Sequence, residues 1–401
     1  MDIISDRLKQ IQPSQTLVIS AKAREMKAKG RDIISLSAGE PDFGTPENIS
    51  QAGIRAIQTG QTKYTDVGGT LQVRQAIANR LNTDYGLDYT ADEVAVSSGG
   101  KQVIFNAMMA SINPEDEVII PTPCWVSYPD IVTLAGGKPV MVVCDEKTTG
   151  FKLQPQQLRE AITEKTKWLI INSPCNPTGV TYSKEELRAL CDVLLEFPNI
   201  WILTDDIYAK LTYDGFVAST IVQVEPKLKE RTVTMNGVSK AYSMTGWRIG
   251  YAAAPVEFIK AMMKLQGQST TNACSISQAA TIEAVSGPQD FIQDMTSTYQ
   301  KRRDIVLEQL NATPGLSCIK PEGAFYLFPS IHDCIGKTSK SGVKIVDSES
   351  FVTALLEEEG VAAVHGAAFM MEGYFRISYA TSTELLKEAC TRIKQFCMNL
   401  Q

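Results

Sequence analysis

Residues 93 to 121 read EVAVSSGGKQVIFNAMMASINPEDEVIIP. EVAVSS (93–98) is a short apolar run containing β-branched valines. KQVIFNAMMASI (101–112) repeats its apolar residues at helical spacing, and DEVIIP (116–121) is a second apolar run closed by proline. Strand, glycine-opened helix and strand in close succession begin an alternation of short apolar runs and amphipathic stretches. The pattern continues through KWLIIN (167–172), IWILT (200–204), TVTMN (232–236) and RIGYAAA (248–254), with helical stretches SKEELRALCDVLLEF (183–197) and VEFIKAMMKLQ (256–266) between them. Ser183 opens a capping box to Glu186. The expected fold class is therefore α/β with a mostly parallel sheet.

The last hundred residues have a different rhythm. A long helix is expected near 289–310, a hairpin-like stretch at GLSCIKPEGAFYLFP (315–329), and helices near 348–359 and 382–398. TLVISAKAREMKAKG (16–30) predicts a short helix closed by Gly30. These segments suggest a second, smaller α+β domain built from both chain ends. The expected division is an arm at 1–13, a small domain at 14–45 and 300–401, and a large domain at 46–299.

Composition narrows the function. The 401 residues carry 39 basic and 45 acidic side chains, a formal charge of −6 spread without long blocks, so nothing draws the chain to nucleic acid or another polyanion. No apolar run approaches the ~20 residues of a membrane-spanning helix. The opening MDIISDRLKQIQPSQ lacks the compact apolar segment of a signal peptide, and the expectation is a cytoplasmic protein. Nine cysteines without a CxxC pair read as reduced core residues. The two histidines, His332 and His365, are far apart, which excludes a His-rich metal centre and leaves little for imidazole catalysis.

In open α/β sheets ligands bind beyond the carboxyl ends of the strands. After EVAVSS comes GGKQ, where Gly100 and Lys101 open a helix whose free amides either cradle a phosphate or merely start a helix. After KWLIIN comes SPCNPTG (173–179), a tight turn or a ligand loop. After IWILT stand Asp205, Asp206 and then Tyr208. A buried Asp205 needs a cationic or donor partner. After TVTMN comes Lys240, an amine among small and apolar residues, and Arg248 opens the next run. Pyridoxal phosphate, with its phosphate, ring nitrogen, phenolic oxygen and aldehyde, satisfies all of them.

SKAYSMTGWRIGY (239–251) resembles the lysine signature of the fold-type I pyridoxal-phosphate enzymes, in particular the class I aminotransferases. AGEPDFGTP (38–46), KYTDVGG (63–69), CWVSYP (124–129), NPTG (176–179), DDIY (205–208) and FRISYATS (375–382) match further motifs of that family in order. The resemblance implies that Lys240 forms the internal Schiff base and shuttles the substrate α-proton. Burial and neighbouring positive charge would keep it neutral. Arg248 would pair with the phosphate beside the amides of Gly100 and Lys101, and Ser239 would either add a hydroxyl there or pack. Asp205 would hold the ring nitrogen protonated, Tyr208 would donate to the phenolic oxygen, Asn176 would serve that oxygen or the substrate, and Trp125 would stack on the ring. Tyr64 would reach the phosphate of a neighbouring subunit, implying a homodimer with shared sites.

For substrate, the resemblance makes Arg376 the α-carboxylate clamp, helped by Asn176, Trp125 and the backbone of Gly39. One branch of the family reads the distal carboxylate with an arginine from the neighbouring subunit, but LQGQSTTNACSIS (265–277) contains none. In the branch with GGKQ and CWVSYP the lysine of GGKQ takes that task, so Lys101 either binds the distal carboxylate or faces solvent. The expected reaction is amino transfer from L-aspartate to 2-oxoglutarate by a ping-pong path. The alternatives are prephenate, alanine, aromatic or sulfur amino acids, or a β-lyase outcome. Members active on prephenate carry a lysine before a Pro–Ser pair, where this chain has Gln12 before Pro13 and Ser14.

Overall fold

The computed structural model describes residues 3–11, 13 and 15–401. Gln12 and Ser14, on which the prephenate argument turned, lie outside the described residues.

A seven-stranded sheet forms the centre, in the order Val94–Ser97, Gly250–Ala253, Thr232–Gly237, Trp201–Asp205, Thr166–Asn172, Glu117–Thr122, Lys138–Val143. All neighbours are parallel except at Gly250–Ala253, which runs antiparallel to both of its partners. Successive side chains of a strand point to opposite faces. Accordingly Val118, Ile120, Ile170 and Leu203 pack into one apolar cluster, while Ile119, Leu169, Ile171 and Ile202 pack into another on the far side. Both faces are buried under helices, which is why these strands read as unbroken apolar runs.

Two sequence expectations need correction here. The strand Lys138–Val143 has no counterpart in the sequence reading: it is an edge strand, exposed at both ends and half-buried between them, and its Lys-Pro opening hides it. The run from Arg248 becomes a strand only at Gly250, because Arg248 adopts a left-handed conformation with φ 56°.

The helices Gly100–Ser111, Lys184–Glu196 and Val256–Gly267 lie within one residue of their expected bounds. The Ser183–Glu186 capping box is present, with the Ser183 side chain accepting from the Glu186 amide at 3.2 Å. The helix Gln15–Ala28 is followed by Gly30 at φ 83°.

The chain's end builds the helices Asp290–Asn311, Ser348–Glu359 and Thr383–Met398. The expected hairpin at 315–329 closes only through an antiparallel bridge between Ser317 and Ser330. Its last part, Tyr326–Leu327, pairs antiparallel with Phe375–Ser378, which also pairs with Val364–His365. A distant strand thus supplies the partner of Tyr326–Leu327, and that pairing sets Tyr326 beside Arg376. Ile34 and Leu36 join the apolar cluster formed by Val306, Leu355, Phe375 and Ile393, so the two chain ends share one core.

Candidate active site

A cavity of about 450 Å³ opens where the carboxyl ends of the central strands face the three-stranded sheet. Asp205 ends one strand and is 4% exposed. Its Oδ2 accepts from the Tyr128 hydroxyl at 2.6 Å and its Oδ1 from the Ile207 amide at 3.2 Å. Burial pushes its pKa up to about 6, against the opposing effect of those hydrogen bonds and of the Lys240 charge. Asn172 ties the backbone down, donating to the Asp205 carbonyl at 2.8 Å.

Lys240 follows the strand Thr232–Gly237 and donates to the Gly39 carbonyl. Burial, then the positive charge of Arg376, lower its pKa to about 8, with Arg248 adding to the effect and Glu40 opposing it. The amine is therefore partly neutral near physiological pH.

The cavity's anion-binding end is a helix start. Gly99, at φ 90°, precedes Gly100–Ser111, and among the described residues no side chain caps the first amides. Arg248 lies against it: a Cβ on Gly99 would fall 2.5 Å from a guanidinium nitrogen. Among the described residues the Arg248 side chain donates to the Thr245 carbonyl at 2.9 Å and meets no carboxylate. Lys101 stands 4.9 Å from the Trp125 ring centre, and burial followed by the Arg248 charge lowers its pKa. Ser239, buried, also lines the cavity.

At the other end Arg376 is 2% exposed. It donates to Asn176 Oδ1 at 2.9 Å and to the Ser37 carbonyl at 2.7 Å, while its buried Nε has no partner among the described residues. A buried guanidinium without a carboxylate is costly unless an anion completes it. Tyr208 is buried beside it, its hydroxyl 2.8 Å from that of Tyr326.

The fold thus gathers Gly39, Gly100, Lys101, Trp125, Asn176, Asp205, Tyr208, Ser239, Lys240, Arg248 and Arg376 around one cavity. Tyr64 is elsewhere, 90% exposed on the rim of a separate depression. Sequence reasoning missed Tyr128, Asn172 and Tyr326. Asn172, as the last residue of a strand, carried the same positional signal as Asp205. Tyr128 follows Trp125 by three residues at a helix start, and Tyr326 had no local signal.

A sequence model described as aminotransferase class I and II matches residues 31–393. The chain belongs to this family. An aspartate/prephenate aminotransferase of Cereibacter sphaeroides is 56% identical over 400 residues, covering all of both chains. An aspartate aminotransferase of Rhizobium meliloti is 50% identical over 396 residues, 99% of this chain and 96% of that one. Among solved structures, the Rhizobium meliloti aspartate aminotransferase superposes with a TM-score of 0.97 at 50% identity, covering 100% of each chain. That of Thermus thermophilus with maleate gives 0.92 at 41% identity, over 99% of this chain and 100% of the other.

Aminotransferases of this class use pyridoxal 5′-phosphate, and the cavity fits it. An uncapped helix start with an unpaired arginine suits the phosphate. A buried carboxylate with no ion pair among the described residues suits a protonated ring nitrogen, and a buried lysine of lowered pKa lines the same cavity.

Proposed function

We propose that this aminotransferase moves the amino group of L-aspartate to 2-oxoglutarate, giving oxaloacetate and L-glutamate in two half-reactions of a ping-pong cycle. The observation that carries the substrate reading is Arg376: a buried guanidinium at the cavity wall, fixed by Asn176 and Ser37, with its Nε unpartnered among the described residues. Its planar fork suits an α-carboxylate. Lys101, beside Trp125, is the cation available for a second carboxylate.

The bound cofactor supplies an electron-withdrawing ring that stabilises negative charge at the substrate α-carbon. Asp205 holds a proton at the ring nitrogen, positioned by Tyr128. Lys240 would anchor the cofactor in the resting enzyme and then, as a free amine, take the proton from the substrate α-carbon and deliver it to C4′ of the cofactor. Arg376 and Asn176 orient the α-carboxylate, Tyr208 donates to the phenolic oxygen, Trp125 covers the ring, and Arg248, Gly100, Lys101 and Ser239 hold the phosphate. Gly39 keeps the Lys240 amine in place through its carbonyl.

Family resemblance further supports a homodimer in which Tyr64 completes the neighbouring site. Ile54, Ile57, Tyr64 and Leu71 are all exposed within one stretch of sequence, as an uncovered interface requires. The predominantly buried free thiols suit a reducing, cytoplasmic setting. Among the described residues no helix is long and apolar enough to cross a membrane.

Steady-state assays over an amino-acid panel test the reading. Aspartate should be favoured over alanine, and Lys101→Ala should erode that preference by roughly one to two decades in kcat/KM. Equal turnover of alanine and aspartate in the wild type would remove the aspartate assignment. Borohydride reduction and peptide mapping should label Lys240. A second reading, prephenate as an additional amino acceptor, is favoured by the name of the Cereibacter sphaeroides relative. Adding prephenate to the same assay decides it.

A further inference from the structure

Tyr326 appears in none of the motifs, yet it touches three residues of the site. It is 1% exposed and lines the cavity. Its hydroxyl lies 2.8 Å from the Tyr208 hydroxyl, the two rings edge to face at 5.7 Å. Its ring face lies 4.5 Å from the Arg376 guanidinium carbon. Opposite stands Gly39, where a Cβ would come within 2.6 Å of the Tyr326 hydroxyl.

Strand pairing explains the placement. Tyr326 pairs with Ser378, and Ser378 shares a strand face with Arg376, so Tyr326 and Arg376 are diagonal neighbours on one side of the three-stranded sheet. Tyr326 is therefore carried by the strand next to the carboxylate clamp and reaches across the cavity to Tyr208.

The protons of the tyrosine pair can be assigned. Each hydroxyl has one proton and can also accept. If Tyr208 directs its proton to the phenolic oxygen of the cofactor, the proton in the 2.8 Å contact must come from Tyr326. A hydroxyl that accepts a hydrogen bond becomes a stronger donor, because the two bonds polarise each other. Burial keeps both phenols protonated, raising the pKa of each above its usual value.

We infer that Tyr326 is a positioning residue for Tyr208: it donates to the Tyr208 oxygen, fixes the ring's orientation, and strengthens the donation of Tyr208 to the phenolic oxygen. The inference rests on the role proposed above for Tyr208. Gly39 has a matching task, since only a residue without a side chain leaves the Tyr326 hydroxyl its place.

The experiment is a pH titration of the visible absorption of substrate-free protein loaded with pyridoxal phosphate. A hydrogen bond to the phenolic oxygen favours its ionised form and lowers the midpoint, so weakening that bond raises it. Tyr326→Phe keeps the ring and removes the hydroxyl. Its midpoint should rise by roughly 0.3–1 pH unit, a fraction of what one hydrogen bond is worth. Tyr208→Phe should raise it further, and the double variant should match Tyr208→Phe alone. Affinity for succinate, a non-reacting dicarboxylate, should stay within about twofold in Tyr326→Phe, because the ring still faces Arg376.

An unchanged midpoint in Tyr326→Phe beside a shifted one in Tyr208→Phe would overturn the inference and leave the Tyr208 assignment standing. Shifts that add in the double variant would overturn it too, since the hydroxyl would then act without Tyr208. A tenfold loss of succinate affinity would show that the hydroxyl serves the substrate clamp instead. No shift in Tyr208→Phe would remove both the Tyr208 assignment and the inference.

Discussion

Adjacent acids in one motif have unequal surroundings. Asp205 faces the cavity, with Tyr128 and the Ile207 amide on its oxygens. Asp206 points the other way, 1% exposed, its Oδ1 accepting from the Thr204 hydroxyl at 2.6 Å. Burial raises its pKa to about 7, with the Asp205 charge adding to the rise and the Thr204 and Thr220 hydroxyls opposing it. The sign of the consequence follows from linkage. Between the carboxylate's ordinary value and about 7 the folded state holds a proton that the unfolded state has released, so this group's stabilising effect is full at low pH and is lost as pH rises through that window. Urea unfolding of the apoprotein should therefore show Asp206→Asn gaining on wild type by on the order of 3 kcal/mol between pH 4 and pH 7. Parallel pH profiles for the two proteins would refute the assignment. Nothing in DDIY distinguishes the two acids as a string; only strand alternation sends one to the cavity and the other into the protein.

At the scale of elements, the phosphate end depends on how closely a strand meets a helix. A Cβ at Gly250 would fall 2.2 Å from the Gly100 amide nitrogen, so the strand Gly250–Ala253 presses directly on the helix start. Gly250→Ala should displace the first helical amides. The expected outcome is about 1–3 kcal/mol of lost stability, as for other overpacked sites, together with weaker retention of pyridoxal phosphate on dialysis. Unchanged melting and retention would show that the helix start yields without cost. Most elements here were legible because their signals are local: unbroken apolar runs for strands buried on both faces, and Ser183 with Glu186 for a helix start. The edge strand Lys138–Val143 was not, since one half-buried strand with a single neighbour carries little pattern. Nor was the pairing of Tyr326–Leu327 with Phe375–Ser378, which joins segments distant in sequence.

For the whole molecule, we read residues 14–45 with 300–401 as one unit and 46–299 as another; three apolar clusters lie within the second, and a further one, with Phe151 and Cys175 against Phe328 and Tyr374, joins the two. Tyr208, Leu211 and Tyr213 belong to the cluster of the chain's end, so the proposed units meet beside the cavity. The proposed sharing of Tyr64 between subunits predicts complementation. Lys240→Ala and Tyr64→Ala, dissociated and reassociated together, should form mixed dimers in which one site has both residues. Random exchange should then yield about a quarter of wild-type specific activity, well above the mean of the separate variants. A mixture no more active than that mean would place Tyr64 outside the neighbouring site. The sequence by itself determined the fold class and the succession of strand-end polar residues, because periodicity and glycine placement act over a few residues. Tertiary structure alone decided that Arg376 lies buried against Asn176, that Tyr326 meets Tyr208, and that the Lys240 pKa falls to about 8. Those outcomes depend on burial and on distances between residues as much as 200 positions apart, which no local pattern encodes.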